Sequence, residues 1–122
     1  MRIPILKLKQ LLLTSIQTDL SDDDALQFQH DLTERTRESG VAGVVIDITA
    51  LDVVDSFMAR VLNDTANMVR LVGAETVVCG MQPAVALTLI EMGRELVGVN
   101  TALNLDQAVD RLDELIGLRL NR

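Results

Sequence analysis

Val44-Val45-Ile46-Asp47-Ile48 is a compact apolar run, and a short acidic loop leads from it to Asp55-Ser56-Phe57-Met58-Ala59-Arg60-Val61-Leu62. The first segment has the composition of a strand buried on both faces, as parallel strands under helices are. In the second, Met58, Val61, Leu62, Thr65, Met68, Val69 and Val72 fall on one stripe at helical spacing, and Gly73 closes it. A buried strand, a short loop and an amphipathic helix together predict an α/β fold.

The pattern repeats on both sides of this unit. Downstream, Thr76-Val77-Val78-Cys79 reads as a second buried strand. Pro83 suits the first turn of a third helix, where a missing N–H costs nothing. Ala86, Leu89 and Ile90 are its expected inner face and Gly93 its end, with a short edge strand over Leu96–Val99 after it. Asn104 then caps a last helix carrying Leu105, Ala108, Val109, Leu112, Leu115 and Ile116.

Upstream, Ser21 with Asp24 three residues on forms a capping box, and three acids in that first turn suit the positive end of the helix dipole. Ala25, Phe28, Leu32 and Thr36 follow on one face, and Gly40 ends the helix. Ile3–Leu8 and Leu11–Ile16 read as a hairpin, although Lys9-Gln10 is poor turn chemistry. The expected architecture is a single domain over residues 1–122. Its sheet is mixed but mainly parallel, with an N-terminal antiparallel hairpin and about four helices.

Composition narrows the function. The chain has 122 residues, 48% of them hydrophobic, which is enough for one real core. It has two Phe and no Trp or Tyr, so stacking platforms for single-stranded nucleic acid are scarce. A net charge of −7 disfavours polyphosphate and anionic membrane partners and favours a basic protein face. Cys79 has no second cysteine to pair with, which points to a reducing compartment. Lys7, Lys9 and Asp19 interrupt the first twenty residues, so they do not read as a signal peptide, and no run is long enough to span a membrane. The expected location is cytoplasmic.

The chemistry-bearing residues give little support to an enzyme. His30 stands without a second ligand at metal spacing and reads as a solvent-facing helix residue. Cys79 lacks a Cys-x-x-Cys partner and reads as core. No Gly-rich phosphate loop and no nucleophile–His–acid set is present. Asp47 has the position of a receiver-domain aspartate, but no acidic pair ends the first strand to hold magnesium. It reads instead as an acceptor for loop amides. No catalytic residue, metal or cofactor is expected.

Ser56 is the candidate site. It opens the best-patterned helix at the carboxyl end of a central strand, where α/β domains place their sites. Ser and Asp both cap helices well, so either Asp55 or Ser56 is spare for that task. A phosphate on Ser56 would add about 1.5–2 negative charges. The helix dipole would favour it by about 0.3–1 kcal/mol, and Asp52 and Asp55 would oppose it on a similar scale. The expected effect falls on a docking partner more than on the fold.

The runs Ile3-Pro4-Ile5-Leu6-Lys7-Leu8, Val44–Ile48, Asp55–Leu62 and Gln82-Pro83-Ala84-Val85-Ala86-Leu87-Thr88-Leu89-Ile90-Glu91-Met92-Gly93 resemble the STAS domains of anti-sigma factor antagonists, and most specifically the single-domain scaffolds of bacterial stressosomes. The resemblance implies a non-catalytic scaffold. Its partners would be a serine/threonine kinase of the RsbT type, STAS paralogues of the RsbR type and a phosphatase of the RsbX type. It would self-associate as a dimer and in a large assembly. The phosphorylated serine of the family maps onto Ser56. Simple antagonists continue after that serine with small residues, whereas Phe57 and Met58 follow here. With Asp55 and Arg60 they form the expected docking set, which favours the scaffold over the alternative, a conventional anti-sigma factor antagonist.

Overall fold

The computed structural model describes residues 2–91 and 99–120, with side chains to residue 117. The elements are β1 (Ile5–Leu8), β2 (Leu11–Ser15), α1 (Asp22–Ser39), β3 (Gly43–Asp47), α2 (Ser56–Leu71), β4 (Glu75–Cys79), α3 (Pro83–Glu91), β5 (Asn100–Ala102) and α4 (Leu105–Leu120). The strands lie in one sheet in sequence order, β1-β2-β3-β4-β5. β1 pairs antiparallel to β2, and every later pair is parallel. The expected α/β class, the mixed sheet, the opening hairpin and the four helices are all observed.

Sequential strand order has a consequence for the layers. Parallel crossovers are right-handed, so successive helices joining strands in one direction stack on one face of the sheet. The core divides accordingly. Residues of α1, α2 and α3 share one cluster with the sheet's Leu12, Val44, Ile46 and Val78. α4 shares a second, smaller cluster with Leu11, Val45, Val77 and Cys79 on the other face. Alternation along β3 feeds both layers, as period 2 requires. Leu12, Leu32, Ile46 and Leu62 are fully enclosed, and each burial stabilises the fold by roughly 1.5–3 kcal/mol.

The helix ends follow their chemistry. Ser21 caps α1 by accepting the Asp24 amide at 3.1 Å, and Gly40 closes it at φ 65°. Asn104 Oδ1 accepts the Gln107 amide at 2.9 Å and caps α4. The hairpin forms despite its turn residues, with Lys9 held at φ 54°, a left-handed backbone that ordinarily costs a non-glycine residue about 1 kcal/mol. Eight ladder residues, Ile5–Leu8 against Leu11–Thr14, outweigh that cost.

Several expectations are corrected. Ile90 is not on the inner face of α3. It is 66% exposed, and Val85 takes its place beside Leu89. Met68 and Val72 lie at the rim of α2 rather than in the core. Val99 precedes the last strand, which begins at Asn100. Gly93 and Leu96–Gly98 lie outside the described residues.

Candidate functional site

Three loops meet at the carboxyl end of the parallel strands. Backbone bonds tie their starts together: the Ile16 amide donates to the Asp47 carbonyl at 3.0 Å, and the Ile48 amide to the Cys79 carbonyl at 2.9 Å. The loop from β3 to α2 carries Asp47, Thr49, Asp52 and Asp55 and delivers the chain to Ser56.

Asp55 resolves the capping question. Its backbone is extended, and its Oδ1 accepts the Met58 amide at 2.7 Å, so Asp55 is the N-cap of α2. Ser56 is therefore the first helical residue and is half-buried. Its hydroxyl takes no part in the cap. A hydroxyl at this position stands at the positive end of the helix dipole, where added negative charge is favoured.

Asp47 behaves as expected of a structural acid. Its Oδ1 accepts the Thr49 amide at 2.9 Å and the Thr49 hydroxyl at 2.5 Å. Gln82, just before α3, reaches across to the same loop. Its Nε2 donates to the Thr49 carbonyl at 2.8 Å and to Asp52 Oδ1 at 3.3 Å. Sequence reasoning did not find Gln82, because no local pattern marks a side chain that bonds 33 positions away. Gly80 completes the arrangement. It sits at φ 78°, and a Cβ there would come within 2.0 Å of Thr49 Oγ1.

The expected docking set is only partly at the surface. Asp55 and Arg60 are exposed, and Phe57 is half-buried and packs against the main core. Met58 is 9% exposed and belongs to that core, so it is not a surface side chain. The helix stripe requires this, because Met58, Val61, Leu62 and Thr65 share one face. Its exposed end helps floor a cleft of about 190 Å³ between the loops after β2 and β3, lined also by Asp19, Leu20, Val53 and Asp55.

The remaining candidates settle into the fold. His30 is exposed on α1. Cys79 is buried, and burial, helped by the charge of Asp47, pushes its thiol up to about 11. Among the described residues, no group of three or more His, Cys, Asp or Glu could hold a metal ion. Among them, too, no helix is long and apolar enough to cross a membrane.

The model of the STAS domain matches residues 3–108. This chain belongs to the STAS family. A variant of RsbS from Moorella thermoacetica with a serine-to-glutamate substitution superposes on this STAS domain with a TM-score of 0.81. It is 41% identical, over 94% of this chain and 97% of that one. A chain from a structure described as the molecular architecture of the stressosome, a signal integration and transduction hub, gives a TM-score of 0.78. It is 43% identical over 92% of this chain and 97% of its own. RsbRA of Bacillus subtilis (strain 168), an RsbT co-antagonist protein, is 35% identical over 72 residues. That match takes in 59% of this chain, which spans only 26% of RsbRA. The STAS domain described here is thus similar to RsbS over nearly its whole length and to one segment of a longer co-antagonist.

Proposed function

We propose that this STAS domain is a non-catalytic, phosphorylatable scaffold of a bacterial stressosome. In this reading it associates with RsbR-type STAS proteins and holds an RsbT-type serine/threonine kinase. Phosphorylation of Ser56 releases the kinase to act on a stress-response pathway, and an RsbX-type phosphatase resets the site. The likeness to RsbS, to a stressosome chain and to RsbRA supports the association with STAS paralogues.

The observation that carries the reading is the division of labour at the head of α2. Asp55 makes the capping bond, and the neighbouring half-buried Ser56 is spare. A phosphate on Ser56 would gain about 0.3–1 kcal/mol from the helix dipole and lose a similar amount to Asp55 and Asp52. Phosphorylation on this balance leaves the fold intact and changes what a partner meets.

The test is reconstitution. Purified protein, an RsbT-type kinase and an RsbR-type paralogue are mixed, and particle size and kinase retention are followed before and after ATP. Phosphate on Ser56 with kinase release is the expected result, and Ser56→Ala should retain the kinase throughout. Phosphate elsewhere, with Ser56→Ala behaving as the parent, would refute it. Complexes no larger than a small oligomer would instead favour a conventional anti-sigma factor antagonist.

A further inference from the structure

The end of the molecule that carries Ser56 is poor in positive charge. The loops that follow β2, β3, β4 and β5 span residues 16–21, 48–55, 80–82 and 103–104. They hold Asp19, Asp52 and Asp55 but no Lys, Arg or His. Arg60 is the only basic residue between Arg37 and Arg70. It stands one turn beyond Ser56 on α2 and is exposed. Among the described residues it enters no ion pair.

Helix geometry sets what this cation can reach. Ser56 lies four residues before it and the exposed Asp64 four residues after it. Either interval puts two side chains on one face of a helix, about 5–6 Å apart at Cβ. The two directions are not equal. Cα–Cβ bonds tilt toward the helix N-terminus, so Arg60 leans toward Ser56 and away from Asp64. An acid four residues before a base is accordingly the better order, and the reverse is the weaker one. In the unmodified chain the favoured place holds only a neutral hydroxyl, and Asp55 beside it is engaged in the cap. A phosphate on Ser56 would bring about 1.5–2 negative charges and three acceptor oxygens to that place. The guanidinium fork matches a phosphate through two parallel bonds, which a lysine cannot make.

We infer that a phosphate on Ser56 is captured by Arg60, and that this capture withdraws the cation that the unmodified chain offers to an acidic group on its kinase. The inference rests on the proposed function and deepens it, because it says what a partner loses on phosphorylation. Asp52 and Asp55 repel the phosphate, and the Arg60 pair tips that balance toward holding it against α2. The fold is unchanged, and the charge that a partner meets at the head of α2 passes from positive to negative.

Phosphoserine installed at position 56 during translation tests the pair without any kinase. Phosphorus-31 NMR of the folded chain follows the phosphate through its second ionisation, ordinarily near a pKa of about 6. The paired cation should hold that value roughly 0.2–0.5 lower than in Arg60→Gln. Arg60→Lys should recover part of the difference, and salt at about 1 M should shrink it. Thermal melts of both variants should stay cooperative, because Arg60 is exposed. Equal phosphate titration in the parent and in Arg60→Gln overturns the inference. Binding to an RsbT-type kinase tests the withdrawal of the cation. Unmodified Arg60→Gln should bind severalfold more weakly than the parent, and phosphate on Ser56 should weaken it by a smaller factor than it weakens the parent. An Arg60→Gln chain that binds and releases the kinase as the parent does overturns the withdrawal. If no kinase binds any of these chains while the titration difference holds, the phosphate–Arg60 pair stands and the proposed function fails.

Discussion

Gln82 Nε2 donates to the carbonyl of Thr49 at 2.8 Å and so fastens the head of α3 to the loop that delivers Ser56. Its second bond, to Asp52 Oδ1 at 3.3 Å, engages the same loop further on. The segment before Ser56 is thereby held at three points: by Asp47 at its start, by Gln82 in its middle and by the Asp55 cap at its end. Gln82→Ala removes the middle one. Amide exchange at residues 49–54 should accelerate severalfold while the core strands keep their protection, and global stability should fall by about 1 kcal/mol. Unchanged exchange in that loop would mean that the bond is not formed in solution.

Asp55 and Ser56 should separate cleanly in urea melts. Asp55→Ala deletes the cap and should cost about 1 kcal/mol, within a range of 0.5–2. Ser56→Ala should stay within about 0.5 kcal/mol of the parent, since the capping bond is made by Asp55 and not by the Ser56 hydroxyl. Equal losses would return Ser56 to a capping role.

Gly80→Ala should be far more costly than a surface change. The new Cβ meets Thr49 Oγ1 at 2.0 Å and Asp47 Oδ1 at 2.9 Å, and the residue keeps φ 78°. Backbone strain alone is worth about 1–2 kcal/mol and the clash adds to it. Thr49→Ala in the same chain should recover part of the loss, since it removes the nearest atom but not the strain. No recovery would place the whole cost in the backbone.

Cys79 gives a pH signature. Its folded thiol titrates near 11 against an ordinary value near 9, because burial and then the charge of Asp47 disfavour the thiolate. A pKa raised on folding stabilises the fold fully below the unfolded value and loses that contribution as pH climbs from about 9 to about 11. Stability measured by denaturant melts should therefore decline across that window, and Cys79→Ala should flatten the decline. At pH 8 the thiol should react with an alkylating probe only as fast as the chain opens.

Much of this molecule is legible in its residue order, and most of the exceptions share a cause. Ser21, Gly40, Pro83 and Asn104 mark helix ends through local chemistry, and they stand where that chemistry puts them. The β-branched runs at Val44 and Thr76 become the central strands for the same reason. What escaped was set by contacts distant in sequence. Whether Asp55 or Ser56 caps α2 depends on how the loop arrives, and two good capping residues in a row leave that open. Met58 is a different case: its place on the apolar stripe of α2 already pointed inward, and the expected docking role beside Ser56 ran against that local signal. Ile90 continues an apolar pattern, but α3 presents only Val85 and Leu89 to the core. Lys9 in a left-handed turn is imposed by the pairing of β1 with β2, not by any preference of lysine.

The capping bond belongs to Asp55, and this bears on how long such a molecule can stay in service. A residue that folding does not need can be altered and restored many times without changing the rate at which the chain unravels. Altered and unaltered copies would then age alike and could stand side by side in one population. Under the proposed function, a mark on Ser56 would be erased by the enzyme that resets it, and not by turnover of the protein that carries it.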